Sequence, residues 1–321
     1  MKVIKHILVV MDPMCEQQPA LARAVDIAKH TSAAIELFLV AYNRQLVDHW
    51  TFDADQLALF QQAYLASQLR WLETYVNDVA KLGLTVKMDI KWQKDIATAV
   101  LDKATQVSAD LVIKSTHRHP SLNKLFFTPT DWRLLQFCHA PLLLAKSSND
   151  VNHSAANQGN AYQVAYKVIM AAVDPAKANE KPANLDNVII DACAGFSALF
   201  DADIHVSHCY QPVGLEMWQG MGSVGMDQSL PTVDFNEYLQ SIKEHHQTLF
   251  DDLVADYGFE DSSLHLISGE VEFELTELVK KYQVDLLVMG TRDKVGFGGN
   301  TVEKILDNVG CDILSVKADL S

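Results

Sequence analysis

Long apolar runs are missing from this sequence, although 49% of its 321 residues are hydrophobic. No uninterrupted stretch approaches the roughly 20 residues that a membrane-spanning helix needs, so we expect no membrane insertion. The basic start MKVIKHILVVMDP contains only a short apolar run, which meets Asp12 and Pro13 instead of a small-residue cleavage site. We therefore expect a first β-strand there and not a signal peptide.

Positive charge is also scarce: the sequence has 26 lysines and arginines but 41 aspartates and glutamates, which gives a formal net charge of −15. Binding to nucleic acid requires clustered basic side chains facing the phosphates, so we expect no nucleic-acid partner. An anionic small ligand must then be held by local donors and helix N-termini, and not by the long-range field of the protein.

Cysteines are few and odd in number: there are five, mostly inside apolar segments. This usage favours reduced thiols in a cytoplasmic protein over a disulfide framework. Cys138 and Cys311 each precede a closing apolar strand, where a small buried side chain suits packing.

Recognisable catalytic motifs are absent as well. The sequence has no Ser-His-Asp arrangement at a nucleophile elbow, no H-E-x-x-H, no C-x-x-C and no P-loop. We therefore expect a protein that acts by binding. A slow nucleotide hydrolase in which Asp174 or Asp293 positions Mg²⁺ is the alternative, and a carrier of an amphiphilic phosphorylated ligand is a third reading.

What the sequence does contain is one α/β unit written twice. The strand and turn ending in Asp12-Pro13 recurs at Asp174-Pro175, ADLVIKST at 109–116 recurs as VDLLVMGT at 284–291, and Cys138 recurs at Cys311. Several landmarks in the same order indicate a duplication. We predict a first domain over 1–147 (copy one), a polar linker over 148–163 and a second domain over 164–321 (copy two).

Strands alternate with helices in both copies, and several strands are continuous apolar runs. This pattern predicts two tandem doubly wound α/β domains, each a five-stranded parallel sheet with helices on both faces. Long helices near 55–82 and 234–257 are expected to end at Gly83 and Gly258. Ligands of such sheets lie at the carboxyl ends of the strands, near the point where the strand order reverses. Asp12, Asp174 and the loops after Thr116 and Met289 are therefore candidate ligand-binding positions.

A glycine-rich stretch, Lys294 to Gly299, follows one of these strands in copy two and leads to Asn300-Thr301. Backbone N–H groups in a glycine-rich turn before a helix can hold phosphate oxygens. Asn300 with Glu303 also fits a capping-box pattern that needs no ligand. Likewise, Asp174 before Pro175 can serve as a simple turn residue.

Two further features have competing explanations. The sequence H-V-S-H-C contains His205, His208 and Cys209, and histidine and cysteine are common zinc ligands. Side chains alternate along a strand, however, so His205 and Cys209 should lie on one face of the sheet and His208 on the other, which argues against one shared metal. The methionine- and glycine-rich segment 211–231 is interpreted either as an insertion at the sheet edge or as a cover for an apolar ligand.

The two copies together resemble the tandem universal stress proteins of the E subgroup, which carry two such domains in one chain. The resemblance covers both copies, and its strongest pieces are the two strand-Asp-Pro starts, VDLLVMGT, Gly299-Asn-Thr301 and Phe127-Thr-Pro-Thr-Asp-Trp132. Nucleotide-binding members have a loop of the form G-x2-G-x9-G-[ST] after the fourth strand. The resemblance thus implies binding of ATP or a related nucleotide, with Mg²⁺ as a candidate companion.

Carried onto copy two, the resemblance gives Asp174 the nucleoside contact, Cys209 the adenine-side backbone, and Gly290 and Gly299 the first and last glycine positions. Asp293 replaces the second glycine and the loop is shorter than the family pattern. The complete set of candidate ligand-binding residues is Val173, Asp174, Cys209, Met289, Gly290, Arg292, Asp293, Gly298, Gly299, Asn300 and Thr301.

Copy one departs further from the family loop. We place Lys114 and His117 at the first two glycine positions and Phe127 at the third, although Thr128 remains. Copy one is therefore interpreted as a scaffold domain without ordinary nucleotide binding. The resemblance also implies association through the last strands, so Leu142–Ala145 and Ile313–Val316 should form a pseudo-dimer within the chain. A homodimer of chains and a protein partner that responds to the bound ligand are expected in addition.

Overall fold

The computed structural model describes residues 3–15, 17–47, 52–116, 128–146, 166–176, 184–212, 235–291, 305 and 308–318. The linker and the glycine-rich loop predicted for copy two lie outside these ranges.

Copy one alternates strands and helices, as its pattern predicts. Its elements are β1 (His6–Val10), α1 (Pro19–Thr31), β2 (Ala34–Ala41), α2 (Ala54–Ala80), β3 (Val86–Trp92), α3 (Ile96–Gln106), β4 (Leu111–Ser115), α4 (Pro129–Phe137) and β5 (Leu142–Ala145). Local chemistry explains their ends: Pro19 starts α1, a capping box between Asp53 and Gln56 starts α2, and Gly83 follows α2 with φ of 78°.

Copy two repeats this order. Its elements are β6 (Val168–Ala172), α5 (Leu185–Phe200), β7 (Asp203–Tyr210), α6 (Phe235–Val254), β8 (Leu264–Ser268), α7 (Val271–Lys281), β9 (Leu286–Gly290) and β10 (Asp312–Val316). Gly258 has φ of 68° after α6, as Gly83 does after α2. The helix predicted before β10 falls mostly outside the described residues.

The strands form one sheet of ten, in the order β3-β2-β1-β4-β5-β10-β9-β6-β7-β8. Pairing is parallel within each copy, and the copies join where β5 runs antiparallel to β10, with Leu144 opposite Ile313. The predicted pseudo-dimer through the last strands is thus confirmed. The strand order reverses between β1 and β4 and again between β6 and β9, which places a switch point in each copy.

Helices cover both faces of the sheet. On one face α1, α2, α5 and α6 contribute to a core cluster that includes Leu21, Leu72, Phe196 and Phe250. On the other face α3, α4 and α7 contribute to a second cluster that includes Val100, Leu134 and Leu275. Each cluster contains residues of both copies, so hydrophobic burial, the dominant favourable term in folding, also holds the copies together.

Two lysines cross the junction in opposite directions. The Lys146 ammonium, just after β5, donates to the carbonyl of Val309, and the Lys317 ammonium, just after β10, donates to the carbonyl of Gln136. Each lysine therefore satisfies an acceptor near the end of the other copy's last helical segment, where backbone carbonyls lack intrahelical partners. This exchange follows the pseudo-twofold relation between the copies.

Candidate functional site

The carboxyl ends of β9, β6 and β7 lie side by side in copy two. Met289 is in register with Ala172 of β6, and Ala172 is in register with Ser207 of β7. The predicted residues Val173, Asp174, Cys209, Met289 and Gly290 are therefore brought to one edge of the sheet. The other predicted site residues lie outside the described residues: Arg292, Asp293, Gly298, Gly299, Asn300 and Thr301.

Asp174 lies where the chain leaves β6. Its backbone N–H donates to Oδ1 of Asp186 at 3.1 Å, which ties the strand end to the first turn of α5. The Asp186 carboxylate is buried near the positive end of that helix, whereas the side chain of Asp174 is 39% exposed. Asp174 can thus meet a ligand or a cation at this edge.

Gly290 ends β9 in close contact with α5. A Cβ at this position would lie 2.8 Å from side-chain atoms of Leu185, at the start of that helix. Glycine therefore permits the close approach of strand and helix without displacement of the Leu185 side chain. The next residue, Thr291, is fixed by a bond from its N–H to the carbonyl of Val316 at 3.0 Å.

The backbone of Cys209 faces the gap beyond β6. Val173 N–H donates to the carbonyl of Ser207, while Gly269 N–H donates to the carbonyl of Tyr210 on the opposite side of β7. Because successive strand residues direct their backbone groups to alternate neighbours, Cys209 is directed to the same side as Ser207. Burial raises the pKa of the Cys209 thiol to about 12, so the thiol stays protonated at neutral pH.

A histidine pair next to Asp174 was not predicted. His208, fully buried on β7, has its Nε2 2.8 Å from Nδ1 of His246 on α6. Its other ring nitrogen, Nδ1, lies 3.2 Å from the carbonyl of Val173 and 3.9 Å from Oδ1 of Asp174. The ring of Tyr210 stacks on His246 at 4.2 Å between centroids. Both histidines are visible in the sequence, but 38 residues separate them and no local motif links them.

The strand alternation expected for H-V-S-H-C is confirmed. His205 pairs instead with His265 of β8 at 2.8 Å, and both rings contact Tyr282. His208 and His205 thus belong to separate pairs on opposite faces. In the part of the chain that the structure describes, no group of three or more metal-ligating side chains is arranged to hold an ion.

Copy one has a different arrangement at the corresponding edge. Lys114 Nζ lies 2.8 Å from Oδ1 of Asp131, which is fully buried at the start of α4. The other oxygen of Asp131 accepts from the backbone N–H of Thr128 at 2.8 Å and from its hydroxyl at 2.7 Å. An internal carboxylate with its own counterion therefore occupies the helix N-terminus of copy one, the kind of position at which a helix attracts anions.

The strand register corrects one assignment from the sequence. Leu142 is in register with Val112, as Ile313 is with Leu287, so the residue of copy one equivalent to Gly290 is Ser115. Lys114 corresponds to Met289, and not to Gly290 as the comparison with the family loop suggests. The hydroxyl of Ser115 accepts from the N–H of Ala20 at 3.1 Å, which bonds the strand directly to the first turn of α1. His117 and Phe127 lie outside the described residues.

The thiols predicted for packing are buried and free. Cys138 and Cys311 are 3% and 2% exposed, and all five cysteines lack disulfide partners. Burial raises the pKa of Cys138 to about 11 and that of Cys311 to about 12.

Among the described helices, none has the length and apolarity needed to cross a membrane.

Comparison with known proteins agrees with the duplicated architecture. The profile of the universal stress protein family matches residues 4–146 and 165–317. Universal stress protein E of Escherichia coli K12 is 25% identical over 99% of this chain and 96% of its own length. The Universal stress protein E homolog of Haemophilus influenzae is 23% identical over 98% of this chain and 97% of its own length.

Solved structures share the fold. A universal stress protein from Archaeoglobus fulgidus DSM 4304 superposes with a TM-score of 0.64 at 12% identity, covering 97% of this chain and 98% of its own. A functionally unknown protein from Pseudomonas aeruginosa PAO1 gives a TM-score of 0.67 at 24% identity, covering 98% and 93%. With both halves matched by the family profile and the whole length shared with E-type relatives, this chain belongs to the universal stress protein family and carries two of its domains in tandem.

Proposed function

We propose that this chain binds ATP or a related nucleotide, or another phosphorylated small ligand, at the carboxyl edge of copy two. In this proposal it acts in the stress response by binding, and it reports occupancy of the site to a protein partner. Copy one serves as a scaffold and not as a second ligand site.

The contrast between the two strand ends supports this proposal most strongly. In copy one, the buried carboxylate of Asp131 accepts the backbone N–H at the start of α4, and Lys114 neutralises its charge. An added phosphate there would have to displace a buried ion pair, which is costly. Copy two keeps Gly290 at the equivalent strand end, and a glycine-rich sequence follows it.

The described residues also suit the nucleoside end of such a ligand. Asp174 offers a half-exposed carboxylate and Cys209 offers backbone groups on the β6 side of β7. A carboxylate of this kind also fits Mg²⁺, which commonly takes one or two carboxylates together with substrate phosphates. We assign the phosphates to the sequence Arg292 to Thr301.

We place the protein in the cytoplasm, because cysteines that form no disulfide suit a reducing compartment. Pairing of two chains into a homodimer remains a prediction that sedimentation analysis can test.

Calorimetric titration with ATP, in the presence and absence of Mg²⁺, tests the central proposal. We expect binding by the wild-type chain and at least tenfold weaker binding by Asp174→Asn, because the variant loses a charged hydrogen-bond acceptor. Asp12→Asn in copy one is the matched control and should bind like the wild type. Equal binding by both variants would assign the ligand elsewhere, and the absence of heat with any adenine nucleotide would reject the nucleotide class.

Two further measurements separate binding from its alternatives. Phosphate release from ATP and Mg²⁺ that disappears in Asp174→Asn would identify a slow hydrolase. Native mass spectrometry of protein purified without added ligand would identify a bound amphiphilic ligand by its mass.

A further inference from the structure

The hydrogen bonds of the His208–His246 pair fix the proton positions in both rings. The carbonyl of Val173 can only accept, so Nδ1 of His208 carries a hydrogen. In the neutral ring Nε2 of His208 is then an acceptor, and Nδ1 of His246 must donate to it across 2.8 Å. Neutral His246 is left with a single unprotonated nitrogen, Nε2. The chain of bonds therefore runs in one direction, from His246 through His208 to the end of β6.

This arrangement has room for one additional proton. A proton that arrives at Nε2 of His246 leaves both existing hydrogen bonds in place, because the charged ring still donates from Nδ1. A second proton would have to enter at Nε2 of His208, where it would break the contact between the rings and place two positive charges 2.8 Å apart. The pair therefore accepts protons as one unit, with His246 as the site of the first.

The surroundings determine what that proton changes. Asp174 faces the pair from the end of β6, Asp186 faces it from the start of α5, and His245 adjoins it on α6. Tyr210 covers one side of His246, and Phe250 lies beneath His208. Burial is the largest factor that lowers the pKa of both histidines, and the mutual repulsion of the rings adds to it for His208. Both are therefore neutral at pH 7 and gain charge only in acid.

We infer that the His208–His246 pair is a single-proton switch that strengthens binding of an anionic ligand at the carboxyl edge of copy two as the pH falls below neutral. The inference rests on the proposed function for its ligand, but the proton chain itself does not depend on any ligand. At neutral pH neither histidine of the pair carries a charge, and the carboxylates of Asp174 and Asp186 face His208 at the same edge. The proton on His246 adds a positive charge to this edge, on the far side of His208 from Asp174, the residue assigned to the nucleoside.

The proton chain is tested first, on the ligand-free protein. Nitrogen-15 NMR of the imidazole rings should show His208 and His246 both carrying hydrogen at Nδ1 at pH 7.5. On acidification, His246 should gain a hydrogen at Nε2 before His208 does. Rings that carry hydrogen at Nε2 at pH 7.5, or that titrate independently, would overturn the inference whether or not the protein binds nucleotides.

The effect on binding is tested by calorimetric titration with ATP between pH 7.5 and pH 5.0. His246→Asn keeps an amide donor in place of Nδ1 but has no titratable group, and comparison with it at each pH removes the protonation of ATP itself from the result. His139→Asn, which removes an exposed histidine of copy one, is the control and should follow the wild type.

We expect wild-type affinity to gain about fivefold relative to His246→Asn at the acid end, as one partly screened elementary charge provides. Parallel curves for wild type and His246→Asn would overturn the switch while leaving nucleotide binding intact. Absence of ATP binding at every pH would instead reject the proposed function, and the NMR result would still decide the proton chain.

Discussion

Arg23 and Asp312 form an ion pair that is buried between the two copies, with Nε and Nη2 of the arginine 2.8 and 3.3 Å from separate carboxylate oxygens. Tyr166 donates its hydroxyl hydrogen to the same carboxylate at 2.6 Å, and the backbone N–H of Lys146 donates at 2.8 Å. Burial opposes the charge of Arg23, but Asp312 and Tyr166 outweigh this and raise its pKa above the ordinary value. The group links α1 of copy one to β10 of copy two.

This ion pair breaks the symmetry of the junction. The strand register makes Pro141 the counterpart of Asp312, so copy one supplies no equivalent carboxylate to copy two. The reciprocal lysines, in contrast, are present in both directions. This asymmetry favours pairing of copy one with copy two. If the β10 strands of two chains paired with each other instead, Asp312 would be buried without the counterion that Arg23 of copy one provides.

Arg23→Met should destabilise the protein by about 3 kcal/mol, because it leaves the buried Asp312 without its counterion. Asp312→Asn combined with Arg23→Met should recover part of this loss, since the buried charge is removed, the amide oxygen can accept from the N–H of Lys146, and the amide NH2 group can donate to the hydroxyl oxygen of Tyr166. Urea unfolding followed by circular dichroism measures both effects. An Arg23→Met variant as stable as the wild type would show that the carboxylate is compensated in another way.

Lys114→Met should likewise cost about 3 kcal/mol in the free energy of unfolding, because Asp131 has no solvent exposure and would keep an uncompensated charge. Lys87→Met is the matched control: its ammonium is 3.8 Å from Glu36, but the side chain is 63% exposed, so we expect a change below about 0.5 kcal/mol. Equal effects in urea unfolding would contradict the structural role given to the Lys114–Asp131 pair.

The fold was predictable because its signals are local and repeated. Apolar runs such as Leu142–Ala145 and Ile313–Val316 identify buried strands by themselves, and the duplication fixes their order twice. The junction through the last strands followed from the resemblance and was confirmed by the register of Leu144 with Ile313, whereas its antiparallel direction comes from the structure. Patterns of this kind require no knowledge of which side chains meet in space.

The chemistry at the strand ends was less predictable, since it depends on partners that are distant in sequence. Arg23 and Asp312 are separated by 289 residues, and His208 and His246 by 38. Lys114 was misassigned by one residue in the comparison with the family loop, although the gapless match of ADLVIKST with VDLLVMGT already pairs Ser115 with Gly290, as the strand register confirms. Asp174 and Cys209 lie at the carboxyl edge of the sheet because Asp174 is just after β6 and Cys209 is near the end of β7, and their roles as ligand contacts stay predictions.

Gly290→Ala should destabilise copy two by about 1 to 3 kcal/mol, because the added Cβ would lie 2.8 Å from Leu185 and force strand and helix apart. The same substitution in a Leu185→Ala background should cost less, since the clashing atoms are absent, and a double-mutant cycle in urea measures the difference. Additive effects would mean that the backbone relaxes without help from Leu185.

The pair formed by His205 and His265 makes stability depend on pH. Burial, followed by repulsion from His205 and Lys281, lowers the pKa of His265 to about 4 from an ordinary value near 6.5. The unfolded chain therefore takes up a proton before the folded chain does, so stability is complete above about pH 6.5 and is lost as the pH falls towards 4. Relative to His265→Gln, we expect the wild type to lose on the order of 2 kcal/mol in the free energy of unfolding between pH 7 and pH 4.5.

Urea unfolding at a series of pH values measures this loss. His139→Gln, which removes an exposed histidine, is the control. Parallel pH profiles for the wild type and His265→Gln would exclude the His205–His265 pair as the source of acid sensitivity.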